Sequence, residues 1–309
     1  MRAFLHGFGM HVPKRAVTNA EMAARVERTP EWIEGASGIR ERRWAAAEIS
    51  VADLAIAAAH DCLERVDVAA SSLGLIIVAS GSARPGFPGP AAEVAARLGL
   101  ESTPAIDVPM ASAGSLFGMA MAAQMAAHYG DALVIGAEKM SAVVESAALD
   151  PNTAILFGDG AGAALVSVRP GPFEILDAVL HSNGQYRDSL AFDWSTPLRM
   201  NGLSVILQAA RKLPSSIEEV LARQKIAAAD VQMFLLHQAN QNLLVRIAKS
   251  LGVPAERVYS NVARYGNTSS ASMLIAAAEW SQANPTSGPV VFSAFGAGFH
   301  WGALLARSV

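Results

Sequence analysis

An α/β fold built from two related halves is predicted by three features of this 309-residue chain. Ala- and Leu-rich stretches with helical spacing alternate with short, apolar, β-branched runs. The order of those elements recurs loosely after the midpoint, as in an internal duplication. Apolar residues make up 52% of the chain and charged residues 17%, enough to bury a large core and too little charge for disorder.

The elements follow in order. VADLAIAAAHDCLERV, from Val51, has helical spacing, and LGLIIVASG, from Leu73, reads as a buried strand. AAEVAARLGL is helical again. GSLFGMAMAAQMAAHYG is a helix with a glycine stop, followed by the strand ALVIGAE. GAGAALVSV closes the first half near Val168. In the second half the helix GLSVILQAARKLPSSIEEVLARQ precedes the strand VQMFLLHQ. QNLLVRIAKSLG and SASMLIAAAEWSQA are helical, and PVVFSAF and WGALLARS are strands. Strand, glycine-rich turn and strand recur in ALVIGAE…FGDGAGAALVSV and in VVFSAFGAGFHWGALLARSV. These matches divide the chain into residues 1–168 and 169–309, two α/β halves packed sheet to sheet between helix layers. The segment from His181 to Gly202 is polar and turn-rich, and it is expected to be a lid or interface loop.

Composition excludes several classes. A net charge of −3 offers no basic field for nucleic acid. Cys62 is the single cysteine, so neither an intramolecular disulfide nor a thiolate-held zinc can form. The N-terminal residues lack the apolar run of a signal peptide. The apolar stretch from Pro289 is broken by glycines and a histidine, unlike a membrane span. A soluble, cytoplasmic protein is expected.

Chemistry-bearing residues fall at loop–strand junctions. In IDVPMASAGSLFGMAMA a strand ends at Val108, and small residues lead into a helix. Ser112 is thereby placed at a helix N-terminus, where free N–H groups favour negative charge and assist a nucleophile. The plainer alternative is a helix cap. In FLLHQANQNLL, His237 follows an apolar strand and opens a helix, a setting for a general base or donor, or for a satisfied core histidine. In RYGNTSSASM, Asn267 is a candidate donor or a simple turn residue. FGAGFHWG, from Phe295, offers backbone N–H groups for an oxyanion. Asp159, in FGDGAGA, is expected to tie its turn together.

The strings GFGMHVPKRAVTNAEM, TPEWIEGASGIRERRW, FGDGAGAAL, LHQAN, YGNTSSAS and AFGAGFHWGALL span almost the whole chain. Together they resemble the condensing enzymes of the thiolase fold, specifically β-ketoacyl-acyl-carrier-protein synthase III. The resemblance implies a thiolase-like α/β fold of duplicated halves, five-layered αβαβα with two mixed β-sheets. It implies a homodimer, with acyl-coenzyme A or acyl carrier protein as substrate and no metal or other cofactor. It assigns His237 and Asn267 to stabilising the enolate formed when a malonyl thioester loses carbon dioxide. The backbone N–H groups of Ser112 and Ala297 would hold the thioester oxyanion. Trp32 would stack on the adenine of coenzyme A, with Asn201 and Lys249 also contacting substrate. Phe87, in GFPGP, would cross the dimer interface to limit the partner's acyl pocket.

The chain also departs from that pattern. The family's nucleophile is cysteine, and residue 112 is serine. A thiol has an unperturbed pKa of about 8.5 and ionises readily at a helix start. A serine hydroxyl needs an adjacent base, which His237 could be, and its oxygen ester is a poorer acyl donor to a carbanion. Three readings stay open: a Cys-to-Ser form that traps a bound acyl group, a natural Ser–His acyltransferase or hydrolase for a starter acyl group, and a non-catalytic subunit of a condensing heterodimer. The retention of His237, Asn267 and the glycine turns weighs against the third. Arginines expected around the coenzyme A base are missing, with Pro151 and Ala36 in their places. Asn242 stands where a carrier-docking arginine is usual, although Arg246 and Lys249 lie nearby. The segment from His181 to Gly202 is shorter than the family pattern, which suggests an acyl group longer or bulkier than acetyl. The expected function is acyl-thioester loading and Claisen condensation in fatty-acid or secondary-metabolite synthesis.

Overall fold

The computed structural model describes residues 2–283 and 287–309. The first half begins with β1 (Ala3–His11). Two short strands, β2 (Ala16–Thr18) and β3 (Glu41–Arg43), then flank α1 (Asn19–Val26) and α2 (Pro30–Ser37). There follow α3 (Val51–Arg65), β4 (Leu73–Ala79), α4 (Pro90–Arg97), β5 (Ala105–Val108) and α5 (Gly114–Tyr129). Next come β6 (Asp131–Lys139), the short helices α6 (Met140–Val144) and α7 (Pro151–Ala154), and β7 (Asp159–Ser167). The second half opens on β8 (Phe173–Ser182), the hairpin of β9 (Leu190–Asp193) and β10 (Thr196–Met200), and α8 (Gly202–Arg223). It continues through β11 (Met233–Leu236), α9 (Gln241–Ser250), α10 (Val262–Tyr265), α11 (Ser272–Ala283), β12 (Pro289–Gly296) and β13 (His300–Ser308).

Both half-sheets are mixed. In the first, β4 lies parallel to β5 and β6, while β7 runs antiparallel to β6 and β1. In the second, β11 and β12 are parallel, and β13 runs antiparallel to β12 and β8. The expectation of two separate sheets needs one correction. Three residue pairs between β1 and β8 join them into a nine-stranded order, β11-β12-β13-β8-β1-β7-β6-β4-β5. The join is short, and apolar side chains on both faces of each half keep the layers distinct.

Strand alternation makes those layers. Leu75 and Ile77 of β4, Val134 of β6 and Val166 of β7 point to one side. They meet α5 and α11, whose other sides meet Val290 and Phe292 of β12 and Leu304 of β13. Ile76, Val78 and Ile135 point the opposite way, onto α3 and α4. Val291 and Leu305 point outward onto α8 and α9. The sequence of layers is helix, sheet, helix, sheet, helix. A helix held between two sheets must be apolar all round, which is why α5 and α11 are so rich in alanine. Each fully buried Leu or Ile contributes about 1.5–3 kcal/mol of transfer free energy to these layers.

The segment from His181 to Gly202, expected to be a lid or interface loop, contains a packed hairpin. Its hairpin lays Phe192, Trp194 and Leu198 against the cluster around α1, α6 and α7. Trp194 Nε1 donates to the Ala83 carbonyl at 3.3 Å. Scattered apolar residues in a polar segment anchor it without periodicity. Among the described residues no helix is long and apolar enough to cross a membrane.

Candidate active site

The site begins where the chain turns from β5 into α5. Ser112 has φ +65°, in the left-handed region, at a cost of about 1–2 kcal/mol for a residue with a Cβ. Ser112 does not cap the helix. Ala113 occupies the cap position without a side-chain bond, and α5 starts at Gly114. The strain is held by two contacts from distant chain. The Ser112 N–H donates to Ser269 Oγ at 2.9 Å. The end of β12 closes on the turn from behind, where a Cβ on Gly296 would lie 2.0 Å from the Ala111 carbonyl. Only glycine permits that approach.

His237 follows β11, and its N–H donates to the Ser293 carbonyl at 2.9 Å. The helix it was expected to open begins later, at Gln241, capped by Asn240. Its Nδ1 lies 2.6 Å from Ser272 Oγ, which also accepts the Gln238 N–H at 3.0 Å. Burial lowers the imidazole to about 4, against a smaller opposing effect of the Ser269 backbone. The ring is therefore neutral at pH 7. A hydroxyl can either donate to Nδ1 or accept from it, so Ser272 supports both tautomers. Nε2 is left to act as a base in one tautomer and as a donor in the other.

Asn267 combines the two roles considered for it. Its Oδ1 accepts the Ser269 N–H at 2.9 Å, a local turn bond, which leaves the NH2 end of the amide as a donor. Its backbone is fixed between the Leu156 carbonyl and the Gly158 N–H. Ser112, His237 and Asn267 line one cavity of about 90 Å³, with Phe157, Leu190 and Phe295 in its wall. A second cavity of about 160 Å³ is lined by Ser112, Ser269 and Ala297, with Met140 and Phe192. Ser112, Phe157 and Leu190 border both. Ser112 thus borders two chambers with mostly apolar walls, and the first of them also holds His237 and Asn267.

Two stretches of the chain match known families. Residues 106–184 match 3-Oxoacyl-[acyl-carrier-protein (ACP)] synthase III, and residues 221–308 match its C-terminal part. A β-ketoacyl-[acyl-carrier-protein] synthase III from Oleidesulfovibrio alaskensis is 35% identical over 99% of both chains. One from Dinoroseobacter shibae is 37% identical, again over 99% of both. The chain belongs to the β-ketoacyl-acyl-carrier-protein synthase III family. Among solved structures, 3-oxoacyl-[acyl-carrier-protein] synthase III from Aquifex aeolicus superposes with TM-score 0.93 at 32% identity, covering 99% of each chain. The priming β-ketosynthase of the R1128 polyketide pathway gives TM-score 0.92 at 28% identity, covering 99% of this chain and 96% of that one.

In this synthase III chain the remaining sequence-derived residues lie outside the two cavities. Trp32, on α2, is 39% exposed, and the Arg28 guanidinium sits 5.4 Å from its ring centroid. That cation was not among the residues singled out in the sequence. Asn242 is exposed, but its amide is engaged within the chain. Its amide donates to the carbonyls of Gly35 and Ala36 and ties α9 to the helix that carries Trp32. Asn201 caps α8 through the Ser204 N–H, while its neighbours Met200 and Gly202 line the smaller cavity. Lys249 is exposed in the last turn of α9. Phe87 is 99% exposed beside a cavity of about 620 Å³ that includes Arg84 and Trp194.

Sequence reasoning missed three supporting groups. Ser269 and Ser272 were visible as a serine run after Asn267, without any sign of which hydroxyl went where. Glu138 was visible as one acid in an apolar strand. Its fully buried carboxylate accepts from the N–H groups of Gly81, Ser82 and Ser270 and from the hydroxyls of Ser80 and Ser82. It braces the Ser269 loop against the loop that carries Phe87. Asp159 binds the turn as expected, accepting from Ala45 and Ser141, and burial pushes its carboxyl up to about 6.

Proposed function

We propose that this chain takes an acyl group from acyl-coenzyme A or acyl carrier protein onto residue 112 and passes it to a carbon acceptor by Claisen condensation. The observation that carries this reading is the convergence of Ser112, neutral His237 and Asn267 on one cavity, with Ala297 beside Ser112 in the next. In loading, Ser112 Oγ attacks the thioester carbonyl carbon and its proton passes to His237 Nε2. The carbon–sulfur bond breaks, and the departing thiolate takes that proton. In condensation, a malonyl carboxylate leaves as carbon dioxide. The resulting enolate oxygen is held by His237 Nε2–H and the Asn267 amide, and its carbon attacks the acyl carbonyl; the ester bond to Ser112 Oγ then breaks, and the departing serine oxygen takes a proton from water. Backbone N–H groups of Ser112 and Ala297 supply oxyanion donors of the kind that often dominate acyl transfer. With serine at 112 and a base as weak as His237, loading is slow. A Ser–His transferase or hydrolase for a starter acyl group is the second reading, supported by the same Ser112–His237 cavity. Incubating the chain with an acyl-coenzyme A panel and following the mass of residue 112 tests loading. The setting is cytoplasmic lipid or polyketide synthesis, and the site is shared between the halves 1–168 and 169–309.

Phe87 and the free outer edge of β5 support a C2 homodimer, since a wholly exposed aromatic on a Gly/Pro loop needs a covering surface. Light scattering is expected to give a dimer at micromolar concentration, with an interface above roughly 2,000 Å². A stable monomer would count against this. Coenzyme A is expected to bind more through its pantetheine arm than through its nucleotide. Trp32→Ala should therefore lower kcat/KM by less than about tenfold, or about 1.4 kcal/mol. A greater loss would place the dominant contact at the nucleotide, on Trp32 and Arg28.

A further inference from the structure

The donor that acyl loading requires is already occupied. An oxyanion donor serves an oxygen about 2.7–3.1 Å away. Ser269 Oγ stands 2.9 Å from the Ser112 nitrogen and accepts its N–H. The same oxygen lies 3.4 Å from Ser112 Oγ. Both residues are buried and both have positive φ, +65° and +46°, so the pairing is built into two strained turns. The Ser269 N–H is anchored on Asn267 Oδ1 and the next N–H, of Ser270, on Glu138. Backbone movement is thus costly, whereas Ser269 is in the wall of the 160 Å³ cavity, the space its hydroxyl would turn into.

We propose that the Ser269 hydroxyl is an internal occupant of the Ser112 oxyanion donor and must swing aside before the substrate carbonyl is held. This rests on the acyl-loading reading above. Ser269 is a positioning residue in it, satisfying a buried N–H in the empty site and competing with the thioester oxygen for that N–H. A buried N–H left without its acceptor is costly. Removing the hydroxyl therefore raises the free energy of the empty site and leaves the loaded one unaffected.

The test uses an unreactive ketone isostere of acyl-coenzyme A, with methylene replacing the thioester sulfur, in the full-length chain. Titration calorimetry compares the parent with Ser269→Ala and Ser269→Gly. Alanine keeps the Cβ at the strained position and glycine relieves it. Both variants are expected to bind the isostere about three- to tenfold more tightly, the range set by the net value of one hydrogen bond. Acyl loading should accelerate by a similar factor in the Ser112→Cys background. A purely structural serine would weaken binding when removed. Unchanged or weaker binding in both variants overturns the proposal while leaving the acyl-loading reading intact. A tightening confined to glycine overturns it as well, because backbone relief would then be the cause. If neither the parent nor any variant binds the isostere, the acyl-loading reading itself fails.

Discussion

Ser112→Cys is expected to turn a slow acyl binder into a condensing enzyme. The substitution changes one atom in a site whose shape already suits a thiol. Residue 112 keeps its left-handed turn, which penalises cysteine and serine alike. What changes is the chemistry. A thiol near pKa 8.5 is readily ionised beside the α5 N-terminus, whereas the serine hydroxyl must lose its proton to a histidine lowered to about 4. The ester formed on serine also resists carbanion attack more than a thioester. Loading should rise by on the order of a hundredfold or more, the size of a well-placed acid–base contribution that the thiolate no longer needs. Product analysis with malonyl and β-keto-acid acceptors should find condensation from the cysteine form alone. The serine form should return its donor intact or hydrolyse it slowly.

His237→Ala in that cysteine background is expected to separate the two half-reactions. Condensation loses one of two donors to the enolate, a loss of about 10²–10³-fold by analogy with a single oxyanion donor. Loading should partly survive, because helix-end stabilisation of the thiolate does not involve the imidazole. Rapid-quench measurement of loading beside steady-state condensation checks the split. The pH dependence has a definite sign. With His237 near 4, the ring is neutral from pH 5 to 8, so no titration of this residue should shape either rate there. Base-assisted loading of the Ser112 form should decline only as the pH falls through about 4. Equal loss of loading and condensation in His237→Ala would mean that the histidine holds the site together rather than acting on the enolate.

Much of this could be read in the sequence because its signals were local or repeated. The α3 stretch carries a helical period, β4, α5 and β6 are apolar runs bounded by turn signals, and α8 continues through Pro214 as its amphipathic pattern predicts. The positions of Ser112, His237 and Asn267 at loop–strand junctions were equally visible. What stayed hidden depends on contacts far apart in the chain. The conformation of Ser112 is imposed by Gly296 and Ser269, both more than 150 residues away in the chain. The joining of the half-sheets rests on three pairs between β1 and β8, which no periodic pattern marks. Arg28 reaches Trp32 because Glu27, at φ +54°, turns the chain between α1 and α2. A one-dimensional motif gives residue types at a site. It does not give the direction in which a hydroxyl points.

The most direct measurement is intact-mass and peptide-mass analysis of the chain and of Ser112→Cys after exposure to the same acyl-coenzyme A panel. The expected result is an acyl adduct confined to residue 112, abundant in the cysteine form, sparse or absent in the serine form, and followed by condensation product only with cysteine. Rapid turnover of an acyl thioester by the serine form, with no condensation product from Ser112→Cys on any donor, would contradict it and make serine the working nucleophile of a transferase or hydrolase.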